Sequence, residues 1–431
     1  MKAMTVNRAL CALCALFGIL LIGGAFIVPR AYGLQKLPIL LLLLVLLLIN
    51  FFSKKTSVGM SKPIVFFSIF AAINSLALFV GVLHGNSDQA IIDGLRIGVI
   101  FPIIIALLWT SLADFNYEKY IHKIIELSAI FILVIISLTI LQEIGVGYFF
   151  PETFLEKNSL RVGVHEGYVQ VTSHNVGSLF FISGYLLYHA AANQRGEINI
   201  RSVAVLLCAL LAAMLSGRRA LQFAILLAPL FLFFTAKIFA EKKLVMVRIF
   251  KLWLSMVIGV VMLLVYLFMN GYLYFDSFVE RLMLVFEDDG GARTSQAAFL
   301  FSAFLSNPFF GSGIGGTTDV IRSDDAPSVY ELTYLQLLFN FGLVGMALFA
   351  LLFFSEIWRI GRNARYSHIN YSIEVKSMFS GVIFLMFGAA TNPYLGSFEF
   401  LLMLGIIPFA ADSSCSRRRL LLGSVKRPGK W

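Results

Sequence analysis

The stretch LPILLLLLVLLLINFF at residues 37–52 decides the fold class, because it runs for sixteen residues without a charged side chain. A second uncharged run, LWLSMVIGVVMLLVYLFM, covers residues 252–269. Such runs are typical of helices that span a bilayer, whereas a transmembrane barrel is built from short strands of alternating polarity. No such alternation stands out along the chain. We therefore predict an all-α fold, a polytopic transmembrane helical bundle.

The composition of the chain favours the same class. Of its 431 residues, 59% are hydrophobic and 13% are charged, against about half and about a quarter in soluble domains. A chain with so few polar residues cannot cover the surface of a water-soluble globule. Cys11 and Cys14 lie in an apolar segment without a second pair or a nearby histidine. We interpret them as helix-packing thiols rather than as a metal or redox site.

The apolar runs predict about twelve spans, which form a single integral membrane domain over residues 1–431. The first span has the basic flank of a signal peptide, but no cleavage site followed by a soluble domain is evident, so we interpret it as an uncleaved helix. The segment 203–216 is short for a full crossing, and 203–239 is alternatively a re-entrant hairpin. The predicted spans are residues 9–28, 37–52, 64–83, 90–109, 124–143, 173–194, 203–216, 220–239, 252–270, 333–356, 377–390 and 397–412.

The basic residues predict the orientation of these spans. The formal charge is +10, and with the N-terminus inside, 24 of the 34 lysines and arginines fall in segments on the inner side and nine on the outer side. Basic residues accumulate in the cytoplasmic loops of membrane proteins. We therefore expect both termini in the cytoplasm, and the excess of positive charge then requires no nucleic-acid partner.

Two of the predicted outer loops are long, at residues 144–172 and 271–332. The second is too long to serve only as a connection, so it is a candidate functional element. It contains the apolar-rich stretch Thr294–Leu305, which we expect to form a helix along the membrane surface, and the glycine-rich sequence Gly311–Gly316. Because no strand precedes these glycines, we interpret them as a turn rather than as a dinucleotide-binding loop.

Charged residues on the outer side are the candidates for chemistry. Arg218 and Arg219 interrupt an apolar stretch at the membrane boundary, where adjacent guanidinium groups are costly unless they meet anions. They either reach lipid phosphates or form a docking site for a phosphate or pyrophosphate. Arg293 is either paired with the acidic run at residues 287–289 or a second cation for the same anion. Glu331 is either a helix-dipole partner or a general base.

For four other polar residues a structural role is the preferred interpretation. His165 and His174 are more readily explained as polar loop contacts than as catalytic groups. Asp93 and Arg96 are one helical turn apart, so we expect them to neutralise each other. The sequence contains no P-loop, no His-Glu-x-x-His motif and no carboxylate pair that suggests a metal cage. We therefore expect neither a metal nor a cofactor.

The order of these features resembles the O-antigen polymerase and O-antigen ligase superfamily of bacterial membrane glycosyltransferases. Arg219-Ala220 is similar to the family's arginine before a small residue at a helix start. Arg293 is similar to its second arginine, which stands ahead of an Asn-Pro and a Gly-x-Gly turn, here within residues 307–313. The motifs cover residues 216 to 345, and the topology extends the resemblance to the whole chain.

The re-entry into the membrane distinguishes two branches of that superfamily. The chain re-enters through Tyr334-Leu-Gln-Leu, followed by the glycines Gly342 and Gly345, which resembles the family pattern. The ligase branch has His-Asn at this point, where this chain has Glu331-Leu332. The resemblance therefore favours the polymerase branch, with the acid in the role of base.

The resemblance implies a metal-independent glycosyl transfer in lipopolysaccharide or related polysaccharide biosynthesis, on the periplasmic side of the inner membrane. Donor and acceptor are glycans on undecaprenyl pyrophosphate, and a chain-length regulator protein is a further candidate partner. Arg219 and Arg293 would hold the pyrophosphate, and Glu331 would orient or deprotonate the acceptor hydroxyl. Arg218, His174 and Tyr334 are the candidate substrate-binding residues, with His174 the reserve candidate for the base.

Two rival functions remain open from the sequence. An O-antigen ligase would use the same donor and arginines but move the finished glycan onto lipid A–core. A transporter or flippase of lipid-linked sugars would use the arginines as substrate gates. Transporters place charges at mid-membrane and often show two repeated halves, whereas here the arginines cluster on the outer side and no internal symmetry is apparent.

Overall fold

The computed structural model describes residues 2–27, 41–49, 62–112, 118–165, 168–173, 175–192, 200–269, 292–321, 327–366, 371–390 and 392–412. About 81% of these residues are helical. The predicted all-α class is therefore confirmed.

The helices follow the apolar runs of the sequence. The first half of the chain contains α1 (Lys2–Ile27), α2 (residues 41–49), α3 (Lys62–Leu83), α4 (Asp88–Leu95), a π-helical turn (Arg96–Ile100), α5 (Phe101–Leu112), α6 (Glu118–Glu143), α7 (Glu152–Lys157), α8 (Val176–Ala192) and α9 (Ile200–Leu215). The second half contains α10 (Arg219–Leu226), α11 (Ala228–Ile238), α12 (Lys243–Met269), α13 (Ala292–Ser306), α14 (Thr333–Tyr366), α15 (Ile373–Gly388), a 3-10 turn (Tyr394–Gly396), α16 (Phe398–Leu404) and α17 (Ile406–Ala411).

A helix lies at each of the twelve predicted spans, but fewer are long enough to cross a bilayer alone. Among the described residues, four helices meet the length and hydropathy of a span, at Lys62–Leu83, Asp88–Leu112, Glu118–Glu143 and Thr333–Tyr366. A fifth candidate is the pair α10 and α11, which bends by 56°. The segments 203–216 and 397–412 form shorter apolar helices. The coarser prediction of a helical bundle with several candidate spans is therefore confirmed, while the count of twelve stays a prediction.

The first long loop contains an element that the sequence analysis did not predict. Strands β1 (Arg161–His165) and β2 (Tyr168–Thr172) pair antiparallel, with Arg161 opposite Thr172. Valines alternate along both strands at positions 162, 164, 169 and 171, and Val171 is fully buried. This period-two pattern is typical of strands, but each strand is too short to stand out among the long apolar runs.

The core of the bundle is the antiparallel contact between α8 and α15, where glycines let phenyl rings lie against the facing backbone. A Cβ added to Gly184 would lie 2.6 Å from the Phe384 ring, and one added to Gly388 would lie 2.6 Å from the Phe180 ring. Small residues allow this close approach in helix pairs that lack polar interactions. The sequence of each helix thus supplies both the ring and the space for the partner's ring.

Polar contacts join helix ends at one side of the bundle, which we call the basic end. Arg201 Nη2 lies 2.7 Å from Glu126 Oε2, and Lys376 Nζ lies 2.7 Å from Glu241 Oε1. These four residues belong to segments that the charge distribution predicts to lie on one side. The basic end therefore gathers the starts of α6, α9 and α15 around paired charges.

A second set of polar contacts joins the opposite ends of the helices, which we call the loop end. Asn86 Nδ2 donates to the Ser312 carbonyl at 3.0 Å, and Thr333 Oγ1 donates to the Asn392 carbonyl at 2.8 Å. Asn86, Ser312 and Asn392 come from segments predicted to lie on the outer side, and Thr333 begins the span that follows the long outer loop. The loop end carries every candidate functional residue that the structure describes.

Candidate functional site

The structure joins two of the predicted site residues, Arg293 and Glu331, in an ion pair. Arg293 Nε donates to Glu331 Oε2 at 2.9 Å, across 38 positions of sequence. Arg293 lies in the first turn of α13, and Glu331 lies two residues before α14 begins. The side chains are 48% and 24% exposed, so the pair faces an accessible surface. The acidic run at residues 287–289, the other partner considered for Arg293, lies outside the described residues.

A buried tyrosine next to Glu331 fixes its backbone. The Tyr330 side chain is fully buried, and its hydroxyl accepts a 2.7 Å hydrogen bond from the Thr318 amide. Gln336 closes the same turn, since its Oε1 accepts from the Tyr330 amide at 3.3 Å and its Nε2 donates to the Ser328 carbonyl at 2.6 Å. Glu331 is therefore held by residues on both sides of it in the sequence.

The start of α14 is attached to the segment that follows α15. Thr333 Oγ1 donates to the Asn392 carbonyl, and the Tyr334 hydroxyl donates to the Met386 carbonyl at 2.6 Å. Tyr334, a predicted substrate-binding residue, thus uses its proton in a structural hydrogen bond. Its side chain is partly exposed, and in this structure its hydroxyl positions the helix that follows Glu331.

The glycine-rich turn at residues 307–316 is inserted into a break in α14. The break lies at Gly342, where φ is 62° and ψ is −171°. The Leu343 amide donates to the Pro308 carbonyl at 2.9 Å, and the Ser312 amide donates to the Phe339 carbonyl at 2.8 Å. The turn therefore replaces helix hydrogen bonds that the break removes. The prediction that these glycines form a turn is confirmed.

Glycine is required on both sides of this contact. Gly313 has a φ of 76° and Gly342 a φ of 62°, a region that side chains with a Cβ avoid. A Cβ at Gly313 would collide with the backbone of Gly81, and one at Gly342 would collide with the Phe309 carbonyl. The Gly-x-Gly sequence thus allows close backbone packing. This packing fixes the segment that connects α13 to α14.

The same turn is attached to the end of α3, a contact that the sequence analysis did not find. The Ile314 amide donates to the Ala77 carbonyl at 3.0 Å, and Asn86 Nδ2 bridges the Ser312 and Ile314 carbonyls, each at 3.0 Å. Asn86 precedes a helix, where asparagine is common for local reasons. No sequence signal therefore separates its long-range role from an ordinary capping role.

Arg218 and Arg219 lie on a separate element at the start of α10. Arg218 is the extended residue before the helix, Arg219 is its first residue, and both are half-buried. Arg218 Nε is buried and has no hydrogen-bond partner among the described atoms. An unsatisfied buried donor on a charged group is costly, so this N–H is a hydrogen-bond donor that the described part of the chain leaves unused.

The arginine pair and the Glu331 segment are connected through the last turn of α15. The Phe223 ring of α10 stacks on Phe387 at a centroid distance of 6.4 Å, one residue from the carbonyl that Tyr334 binds. The two groups of candidate residues therefore lie on elements that contact the same helix end.

His174, the reserve base and candidate substrate-binding residue, lies outside the described residues. Its neighbours form a local turn in which Ser173 Oγ donates to Asn175 Oδ1 at 2.6 Å. The helix that follows reaches the site region, since Phe180 lies 5.8 Å from the Tyr394 ring. The segment 392–394, which the sequence analysis did not single out, thus contacts both α8 and the start of α14.

Gln296 is a further polar residue beside the ion pair. It lies three residues after Arg293 on the same face of α13. The residue is 6% exposed, and its Oε1 has no hydrogen-bond partner in the part of the chain that the structure describes. A buried amide oxygen without a partner is an unused hydrogen-bond acceptor. A lone glutamine in an apolar-rich helix carries no sequence signal for such a role.

One expectation about other residues has a definite outcome. Arg96 Nη2 lies 2.9 Å from Asp93 Oδ1, so the predicted mutual neutralisation is confirmed. Cys208 is a free, half-buried thiol, whereas nothing is described of the side chains of Cys11 and Cys14. Within the described ranges, no group of three or more His, Cys, Asp or Glu residues is arranged to hold a metal ion.

Comparison of the chain with protein-family models and with curated proteins finds no match. The functional assignment therefore depends on the residues and geometry described above.

Proposed function

We propose that this protein is a metal-independent membrane glycosyltransferase that polymerises undecaprenyl-pyrophosphate-linked oligosaccharide repeat units. The observation that carries the proposal is the Arg293–Glu331 ion pair at 2.9 Å. It places a cation and a carboxylate side by side at the loop end, on an accessible surface. A reaction that expels a pyrophosphate while a hydroxyl loses its proton needs both groups at one place.

The chemical step assigns one role to each group. The acceptor sugar hydroxyl attacks the anomeric carbon of the donor, a carbon–oxygen bond forms, and the bond from that carbon to the pyrophosphate oxygen breaks. Glu331 takes the hydroxyl proton, since its carboxylate lies beside Arg293 at an accessible surface. Undecaprenyl pyrophosphate leaves as an anion, and its charge is stabilised by Arg293.

Arg218 and Arg219 are the second group of cations for the pyrophosphate. The free Nε of Arg218 supports this assignment, because guanidinium groups bind phosphate oxygens through several directed N–H groups. The connection of α10 and α14 to the same end of α15 supports a shared site. A pyrophosphate between the two groups would accept hydrogen bonds from guanidinium groups of both.

The proposed location is the bacterial inner membrane, with the basic end in the cytoplasm and the loop end in the periplasm. Large apolar side chains that remain exposed on the helices support a lipid surrounding, among them Leu351 at 67% and Phe354 at 67%. Twelve crossings with both termini in the cytoplasm follow from the apolar runs and the basic residues. The sugar units are then assembled on the side where Glu331 lies.

The break in α14 favours the glycosyltransferase over the transporter alternative. Broken helices in transporters expose backbone groups that bind substrate near mid-membrane. Here the Phe339 and Asn340 carbonyls accept hydrogen bonds from the Ser312 and Gly313 amides at 2.8 and 3.1 Å. The groups freed by the break are thus already used within the chain. The ligase alternative shares donor and cations, and it differs from the polymerase only in the acceptor.

The test is a reaction of purified protein in nanodiscs with lipid-linked repeat units, read as a ladder on a gel. Glu331→Gln and Arg293→Gln should each remove the ladder, and EDTA should leave it unchanged. The matched control is Asp93→Asn, because Asp93 and Arg96 form another exposed ion pair of 2.9 Å. A ladder that persists in Glu331→Gln would overturn the proposed base. A product that forms only with lipid A–core would identify a ligase, and flipping without transfer would identify a transporter.

A further inference from the structure

A cavity of about 340 Å³ lies at the basic end, far along α14 from the candidate site. It is lined by Ile238 at the end of α11 and by residues of the last turns of α14, namely Ile357, Trp358, Gly361, Arg362, Arg365 and Tyr366. Ile238, Ile357 and Trp358 form an apolar part of the lining, which we call the apolar wall, and α14 adds two guanidinium groups. The cavity is separate from the residues that the proposed glycosyl transfer uses.

The two arginines of this cavity differ from the other basic residues nearby. Arg359 Nη1 bonds to both carboxylate oxygens of Glu356, at 3.0 and 3.2 Å, and so is neutralised within its own helix. Arg362 lies 4.8 Å over the ring of Trp358. In the described part of the chain, the structure pairs neither Arg362 nor Arg365 with a carboxylate. The cavity therefore has a net positive charge without an internal anion.

The apolar wall provides room for a hydrocarbon chain beside these charges. Trp358 is 65% exposed and Tyr366 is 77% exposed. Gly361 lies between α14 and α11, where a Cβ would be in ordinary contact with the Ile238 carbonyl at 3.6 Å. Exposed aromatic side chains with arginines are typical of the boundary between lipid chains and headgroups.

We propose that this cavity binds one anionic glycerophospholipid of the cytoplasmic leaflet. The headgroup phosphate contacts Arg362 and Arg365, whose planar forks match phosphate oxygens, and an acyl chain lies along Ile357 and Trp358. The spacing of 358, 362 and 365 places all three on one face of α14. The inference rests on the proposed bilayer placement but is independent of the glycosyl transfer.

The experiment measures which lipid the full-length protein retains. Wild type is solubilised in detergent with equal amounts of phosphatidylglycerol and phosphatidylcholine, and bound lipid is counted by native mass spectrometry. We expect wild type to retain phosphatidylglycerol selectively. Arg362→Gln with Arg365→Gln should reduce this selectivity by roughly ten- to thirtyfold, because each basic residue near an anionic surface contributes about a factor of five to affinity.

A matched variant separates a specific site from the general attraction of basic residues for anionic lipid. Lys242→Gln with Lys243→Gln removes the same charge at the same end from exposed positions that do not line the cavity. This variant should keep the selectivity of wild type. An equal loss in both double variants, or no selectivity in wild type, would overturn the proposal. Release of the lipid by inorganic phosphate alone would contradict the role of the acyl chain. Since the readout is lipid retention, it is independent of any glycosyl transfer assay.

Discussion

The Leu343 amide donates a 2.9 Å hydrogen bond to the Pro308 carbonyl, so the break in α14 and the Asn-Pro turn of the long loop satisfy each other. A backbone amide without a hydrogen-bond partner is costly inside an apolar helix. The loop therefore stabilises an otherwise unfavourable helix. In return, the broken helix holds the loop that carries Arg293 against the segment that carries Glu331.

The first prediction concerns the glycines of this contact. Gly313→Ala and Gly342→Ala should each lower the free energy of unfolding by about 1–3 kcal/mol, because both positions have a positive φ and no space for a Cβ. Thermal unfolding in detergent measures the effect. Gly24→Ala is the control, since a Cβ there meets nothing within 4 Å. Equal melting temperatures for Gly313→Ala and Gly24→Ala would contradict this account.

The second prediction separates the chemical role of Glu331 from its structural role. Glu331→Gln should change stability by less than about 1 kcal/mol, because exposed ion pairs contribute little. The same change should lower the rate of sugar transfer by about a hundredfold or more, which is the usual contribution of a general base. The measurements are a melting curve and the rate of ladder formation on one preparation.

A charge exchange extends that comparison. Arg293→Glu combined with Glu331→Arg restores an ion pair of reversed direction, so the double variant should be about as stable as wild type. It should remain inactive, because the pyrophosphate would then meet a carboxylate. Recovery of the ladder in the double variant would show that the pair acts only by holding the fold together.

A third prediction addresses the hydroxyl of Tyr334. Tyr334→Phe leaves the Met386 carbonyl without its 2.6 Å donor, and should lower stability by about 1 kcal/mol. The start of α14 would then be held less firmly, so we expect a fall in kcat that is larger than the change in KM. Tyr148→Phe, at a position that is 72% exposed, is the control. An unchanged kcat would mean that the Tyr334 hydroxyl contributes to stability but not to the reaction.

The fourth prediction tests the glycine packing of α8 on α15. Gly184→Ala should destabilise the protein by about 1–3 kcal/mol through overpacking, as the added carbon would lie 2.6 Å from Phe384. Phe384→Leu in the same chain creates room and should recover part of the loss. A double-mutant cycle with thermal unfolding measures the coupling. Additive losses would mean that the two residues do not share this contact.

Much of the fold was predictable because helix formation in an apolar run is local. The positions of α3, α6 and α8 follow from uncharged stretches that satisfy their own backbone hydrogen bonds. The break at Gly342 was not predictable, because Gly342 stands in an apolar run like other helix glycines. Its conformation depends on a turn thirty residues earlier in the chain. The β1–β2 hairpin was missed because five-residue strands carry a weak signal beside long spans.

The candidate site was likewise predictable only in part from the sequence. Arg293 was a candidate from the sequence because it follows the acidic run and opens a predicted surface helix, and Glu331 because it stands where the long loop is predicted to re-enter the membrane. Packing between distant elements decides that they pair with each other. It also decides that Asn86 and Asn392 hold the supporting segments.

The sequence by itself determined that the chain is helical and apolar, and which charged residues are available for chemistry, because these properties depend on composition and local spacing. Only the tertiary structure decided which charges meet. It pairs Arg293 with Glu331 but pairs neither Arg362 nor Arg365 with an acid among the described residues. The physical reason is that an ion pair forms between atoms a few ångströms apart, and distances across 38 residues are set by packing of the whole bundle.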